Sequence, residues 1–201
     1  THTNDNVYFE VDDFECIAEH YMASSRNTEA MKVLDKGLEQ HYYNVALYRL
    51  KATIYISEGK FDTALNVVHT AFSLAPEDHI LKLLEIECIA FQGNEREALA
   101  RLNTLLSKSD EEESIDALFV QAKVYERMSD YGAIFDTLKS VLEIDPSNPT
   151  ALEKIWFCVE LSGKYEESVE FHKTIIDEQP YNYLAWYNLG HAYVCLEDLD
   201  L

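Results

Sequence analysis

The sequence predicts an all-α fold, a right-handed solenoid of stacked helix-turn-helix hairpins, and three observations support this. First, the spacing Trp-x2-Leu-Gly-x2-Tyr at Trp186, Leu189, Gly190 and Tyr193 places these residues on one face of a helix. Second, related positions return every 34 residues back to the N-terminal region. Third, the prolines and the glycines follow the same period. A period of this length is typical of repeat proteins built from helical hairpins.

The repeat period divides the chain into an arm and six segments. The N-terminal arm is predicted at residues 1–10, and the solenoid covers 11–201. Its repeats are 11–44, 45–78, 79–114, 115–148, 149–182 and a partial repeat at 183–201. We expect each full repeat to contain two helices joined by a short turn. Tyr8 and Phe9 of the arm are expected to fold onto the first helix.

Prolines and glycines mark the helix ends independently. Proline cannot continue a helix, so the second helices are predicted to end at Pro76, Pro146 and Pro180. Turns inside the repeats are predicted at Gly59, Gly93 and Gly163. Each series has one gap of 34 and one of 70 residues, which places a two-residue insertion between Gly93 and Pro146. The acidic run at 109–114 is predicted to be a longer exposed loop there.

Small residues recur where the two helices of a hairpin should approach each other. The position in the first helix holds Ala18, Ala52, Ile86, Ala122, Trp156 and Gly190. The facing position in the second helix holds Ala30, Ala64, Ala98, Ile134 and Ser168. Trp156 is large for this position, and we interpret it as a core residue rather than a ligand-stacking one. Its truncation to alanine is then expected to cost about 3–5 kcal/mol.

These motifs resemble the tetratricopeptide repeat (TPR) family over residues 11–201, with about five full repeats and a last first helix. The sequence departs from the family pattern locally. Asn27 stands where an aromatic residue is usual, and Lys82 and Glu85 stand where apolar residues are usual. These departures affect local helix geometry rather than the architecture.

Composition limits the partners that we expect. Sixteen Lys and Arg residues stand against 37 Asp and Glu, giving a formal net charge of −21. Phosphate backbones and anionic membrane surfaces should therefore be repelled, and no apolar run is long enough for a membrane span. The four cysteines are widely spaced in sequence and are expected to be reduced, which favours a cytoplasmic location.

Motifs for catalysis are absent from the sequence. It contains no glycine-rich phosphate loop, no nucleophile elbow and no histidine or cysteine pair with metal-ligand spacing. We therefore predict a protein that is not an enzyme and has no cofactor or metal.

The resemblance implies that the first helices line a concave groove that receives a peptide or a partner helix. Helical spacing selects the side chains that would line it: Arg49, Leu50, Thr53, Leu84, Phe91, Phe119, Lys123, Arg127, Phe157, Tyr187 and Asn188. Phe91, Phe119 and Phe157 would form an apolar strip beside Lys123. Family members that hold chaperone tails use a clamp of Lys, Asn and Arg, and this sequence lacks it.

The predicted function is a protein-interaction scaffold that binds a peptide or partner helix in its groove. Two alternatives stay open. The last helix, rich in aromatic residues, could form a homodimer, or the repeats could be the regulatory arm of a longer enzyme or sensor chain. Residues 197–201 read as a turn and the opening of another helix, so we expect the repeats to continue beyond this segment.

Overall fold

A computed structural model describes residues 9–199, with side chains described up to residue 196. Over this range the chain forms eleven α-helices and no strand, which confirms the predicted all-α class. The helices are α1 Val11–Ala23, α2 Asn27–Gln40, α3 Val45–Ser57, α4 Phe61–Phe72, α5 His79–Phe91, α6 Glu95–Leu106, α7 Glu111–Met128, α8 Tyr131–Ile144, α9 Pro149–Ser162, α10 Tyr165–Glu178 and α11 Tyr183–Leu199.

The chain divides into two compact units, Thr1–Asn94 with α1–α5 and Glu95–Leu201 with α6–α11. In the first unit α1 packs on α2 and α3 on α4. Ala18, Ala30, Ala52 and Ala64 are fully buried in these hairpins. Small side chains at these positions let paired helices approach closely, as the sequence predicted.

The N-terminal arm is described only from Phe9 onward, so residues 1–8, including Tyr8, lie outside the described range. Phe9 packs against Phe14 of α1, with ring centroids 5.8 Å apart. Its backbone N–H donates to Oε1 of Gln40 at 3.2 Å, and its carbonyl accepts from Nε2 of His41 at 2.9 Å. Phe9 therefore contacts both helices of the first hairpin.

Left-handed backbone residues form the turns inside the hairpins. Gly59, Gly93 and Gly163 have φ angles of +72°, +92° and +71°. Ser25 and Ser129, each with φ +56°, hold the equivalent places in the first and fourth repeats. The five positions are separated by 34, 34, 36 and 34 residues, so the insertion falls between Gly93 and Ser129.

The acidic run at 109–114 corrects one prediction, because it is largely helical rather than a loop. Helix α7 begins at Glu111, and the Asp110 side chain accepts the backbone N–H of Glu113 at 3.0 Å. Glu111, Glu112 and Glu113 occupy the first turn, where carboxylates offset the partial positive charge of the helix N-terminus. The inserted residues therefore lengthen α7 instead of its preceding loop.

The prediction that a turn begins at residue 197 is also corrected. Helix α11 continues through Leu199, so no turn begins at residue 197, and residues 200–201 lie outside the described range.

A core cluster of the second unit includes the fully buried Phe135, Leu142, Leu152 and Ile155. His172 of α10 is also fully buried. Its Nδ1 donates to the Ser168 carbonyl at 2.8 Å, and its Nε2 has no hydrogen-bond partner within the described residues. Burial lowers the pKa of His172, because a charged imidazolium would lose its hydration there.

We predict that protonation of His172 destabilises the fold in acid. The pKa of His172 is lower in the folded state than its unfolded value of about 6.5. Above pH 6.5 the ring is neutral in both states and does not oppose folding, and the free energy of unfolding decreases as the pH falls below that value. The contribution is at most about 1.4 kcal/mol per pH unit. Urea unfolding of the wild type and His172→Leu between pH 7.5 and 5.5 measures it. Equal pH slopes for the two proteins would contradict the prediction.

Candidate partner-binding cavity

A cavity of about 430 Å³ lies in the second unit, between helices α7, α8 and α9. Apolar and aromatic side chains form most of its lining: Phe119, Ala122, Tyr131, Ile134, Leu138, Trp156 and Phe157. Helix α9, which supplies Trp156 and Phe157, is fixed at both ends. Asn148 accepts the backbone N–H of Ala151 at 3.1 Å, and Gly163 ends the helix in a left-handed conformation. Capped helices hold the cavity walls in place.

The aromatic rings of the cavity meet edge to face. The ring centroids of Tyr131 and Phe157 are 6.1 Å apart at an interplanar angle of 88°. Those of Trp156 and Phe157 are 5.9 Å apart at 77°. Trp156 also meets the His191 ring of α11 at 5.3 Å. Such contacts are favourable for aromatic pairs and keep the rings oriented.

Trp156 corrects the prediction that it is a core residue. It is only partly buried and forms part of the cavity lining. The equivalent positions in the first, second and fourth repeats hold the buried alanines Ala18, Ala52 and Ala122. An indole is too large for the close contact between paired helices, so its ring lies beside Phe157 and His191 instead.

Charged side chains also line the cavity. Lys123 and Glu126 come from α7, Glu153 and Lys154 come from α9, and all four are exposed. Among the rings, Phe119, Tyr131 and Trp156 are partly buried, and Phe157 is exposed. An apolar pocket with a few polar groups at its edge is typical of sites that bind a ligand or a partner side chain.

Three predicted groove residues, Phe119, Lys123 and Phe157, line this one cavity. Two others require a correction, because Leu84 and Asn188 are buried at 8% and 3% exposure. Asn188 donates through Nδ2 to the Leu152 carbonyl at 2.9 Å and so joins α11 to α9. The helical spacing placed these two residues on the groove face without accounting for the helix packed against them.

The predicted residues of the first unit have local contacts of their own. Arg49 pairs with Asp78, whose carboxylate also accepts the Leu81 N–H at 2.9 Å and caps α5. Leu50 is partly buried against the core of the first hairpin, and the exposed Thr53 donates to the Arg49 carbonyl at 2.9 Å. Phe91 lies 5.4 Å from the Phe61 ring. Arg49 and Phe91 therefore stabilise the unit directly.

Two predicted residues of the second unit lie away from the cavity lining. Arg127 is exposed and pairs with Glu95 of α6 at 3.4 Å. Tyr187 of α11 is 60% exposed, with its ring 6.5 Å from that of His191.

Tyr131, Glu126 and Glu153 line the cavity but were not among the predicted groove residues. Tyr131 begins α8, a second helix, and the groove prediction considered only first helices. The signal that pointed toward the cavity was Trp156, a large ring at a position that holds alanine in three other repeats.

Two chemical features of the described residues bear on function. No group of three or more His, Cys, Asp or Glu side chains within 9–199 has the arrangement of a metal site. Within the same range, each helix is too short or too polar to span a bilayer.

Helices paired in this way, with the turn and small-residue positions repeated along the chain, define a tetratricopeptide repeat protein. Residues 8–128, more than half of the chain, match the sequence profile of the ChAPs, the Chs5p-Arf1p-binding proteins. The chain therefore belongs to the ChAPs family.

More distant similarities agree with this fold. The chain is 20% identical over 174 residues to protein O-mannosyl-transferase TMTC1 of Homo sapiens, covering 85% of this chain and 19% of that protein. It is 24% identical over 190 residues to DnaJ homolog subfamily C member 3 of Mus musculus, covering 86% and 37%. The chain thus spans well under half the length of both relatives.

Among solved structures, TTC0263, a thermophilic TPR protein of Thermus thermophilus, superposes with a TM-score of 0.65. Its sequence is 13% identical, and the match covers 92% of this chain and all of that one. The likeness confirms the TPR fold predicted from the sequence.

The rate at which each cysteine is labelled should depend on how closely the chain packs around it, and Cys158 lines the cavity. Burial raises the pKa of Cys158 to about 11 and that of Cys88 to about 12, whereas Cys16 is exposed. At pH 8 roughly one Cys158 in a thousand is then a thiolate. We predict that a disulfide reagent labels Cys16 of the native protein rapidly and labels Cys88 and Cys158 only on unfolding. Mass mapping measures this, and fast labelling of native Cys158 would contradict the described packing of α9.

Proposed function

We propose that this chain is a non-enzymatic interaction scaffold that binds a peptide segment or partner helix at the cavity between α7, α8 and α9. The observation that supports this most is the aromatic lining with charged groups at its edge. A partner side chain inserted there would exclude water from Phe119, Trp156 and Phe157, and such desolvated aromatic contacts supply much of the energy of protein interfaces.

The family supports a protein as the partner. ChAPs are described as binding Chs5p and Arf1p, so binding to other proteins is the property that the family description names. We propose a protein or peptide partner for this chain as well, and no nucleic acid or membrane partner, in keeping with its net charge of −21. The free cysteines support a cytoplasmic location as part of the same proposal.

The cavity proposal is tested with two matched variants of α9. Phe157 and Leu161 are 48% and 47% exposed on the same helix, and only Phe157 lines the cavity. Peptides selected from a displayed random library against the wild type would be titrated against Phe157→Ser and Leu161→Ser. Loss of an interface anchor costs about 2 kcal/mol, so Phe157→Ser should weaken binding roughly thirtyfold.

Leu161→Ser serves as the control and should change the affinity less than about twofold, because it removes a similar exposed side chain outside the cavity. Equal affinities of the two variants would exclude the cavity as the binding site. Circular dichroism of both variants establishes that each is folded.

Self-association is a second candidate, which the exposed side chains of α11 favour. Trp186, Tyr187 and Val194 are 52%, 60% and 58% exposed, and a side chain added at Gly190 would meet open space. Exposed apolar faces of this kind often mark interfaces. The further alternative, an arm of a longer enzyme or sensor chain, has a parallel in TMTC1, a transferase matched over 19% of its length.

Sedimentation of the wild type and of Tyr187→Lys/Val194→Lys distinguishes self-association from peptide binding. If α11 forms a homodimer, the charges should convert it to a monomer, while Leu74→Lys in the first unit should not. Leu74 is 41% exposed and makes a matched control. A wild type that is monomeric throughout the concentration series would exclude the homodimer.

A further inference from the structure

We propose that the cavity receives an arginine side chain from a basic partner segment. This inference rests on the proposed function and specifies the chemistry of the partner. It follows from three properties of the cavity: its aromatic walls, its apolar floor and the carboxylates at its edge.

The aromatic walls suit a planar cation. Phe119, Tyr131, Trp156 and Phe157 line the same space, and the faces of such rings attract cations. The second unit already contains this contact elsewhere, since the ammonium of Lys164 lies 5.2 Å from the centre of the Phe135 ring and that of Lys139 lies 5.4 Å from the Phe171 ring.

The floor of the cavity and the hydration of the two cations favour arginine over lysine. Ile134 and Leu138 provide an apolar surface on which the methylene groups of an arginine can pack. The guanidinium is planar, stacks on aromatic rings and is more weakly hydrated than an ammonium group. It therefore loses less hydration on entering a cavity walled by rings.

Two of the charged groups at the cavity edge can pair with a cation. Glu126 and Glu153 are exposed at the cavity and can accept the N–H groups of a guanidinium. The net charge of −21 attracts basic segments and repels acidic ones. Lys123 and Lys154 line the same cavity and oppose a cation, so removing one of these two positive charges tests the proposal directly.

The experiment uses Trp156 as its reporter. The chain has two tryptophans, so Trp186→Phe leaves Trp156 as the single fluorescent indole. Capped glycine-serine peptides are added, each with one central arginine, citrulline, phenylalanine or glutamate. Citrulline has nearly the shape of arginine without its charge. We expect the arginine peptide to bind about fivefold more tightly than the citrulline peptide, as one cation–π contact allows.

Charge variants locate the preference. Glu126→Gln/Glu153→Gln should reduce the difference between arginine and citrulline about twofold, and Lys154→Gln should increase it about twofold. The control Glu160→Gln/Glu166→Gln changes the net charge equally at exposed positions outside the cavity lining and should leave the difference intact.

The outcomes separate this inference from the proposed function. Equal binding of the arginine and citrulline peptides, or tighter binding of the phenylalanine or glutamate peptide, would overturn the arginine proposal and leave the cavity as a binding site. An unchanged Trp156 emission with the arginine peptide would overturn it too. Failure of the proposed function appears separately, as equal affinities of Phe157→Ser and Leu161→Ser for library-selected peptides.

Discussion

Close approach of paired helices, which a small side chain at the point of contact permits, is the constraint on which the first two hairpins depend. Ala18 with Ala30, and Ala52 with Ala64, are fully buried in the first unit. Paired helices share a continuous core only when such a contact lets them interdigitate. The fifth repeat has Trp156 at this position, and its ring lines the cavity between α7, α8 and α9. The candidate site therefore includes the repeat in which this position holds its largest side chain.

Most of the fold was predictable because its signals recur at one period. The left-handed turns at Gly59, Gly93 and Gly163 were visible as glycines, whereas the same backbone conformation at Ser25 and Ser129 was not, because serine carries no such signal. The residues that cap the first helices form a further repeating signal, which was not used in the prediction. Four of them do so through a side-chain oxygen: Asn44, Asp78, Asn148 and Asn182. The same capping chemistry explains the start of α7, where the acidic run was mistaken for a loop because its charge suggested solvent exposure rather than a helix N-terminus.

The candidate site was less predictable than the fold, for a physical reason. Helical periodicity assigns a residue to a face, but the burial of that face depends on the helix packed against it. Phe119 and Phe157 came together at one cavity, while Asn188 on the corresponding face of α11 is buried and bonded to α9. Tyr131 was missed because it belongs to a second helix that reaches the same cavity. Contacts between helices thus decide which members of a predicted groove can meet a partner.

The charges of the chain act over two distances, on a partner that is still approaching and on a side chain at the cavity. At physiological ionic strength the field of an exposed charge falls off within about 8 Å, so most of the 37 acidic residues cannot influence a side chain already bound in the cavity. Their effect is on encounter, since a negative surface raises the association rate of a basic partner. For a partner bound as proposed, residence would depend instead on the groups that line the cavity, Glu126 and Glu153 against Lys123 and Lys154, and on the rings beside them. Because the numbers of these opposite charges are balanced, the aromatic walls would then decide how long the partner stays bound, and the acidic surface would decide which partners arrive.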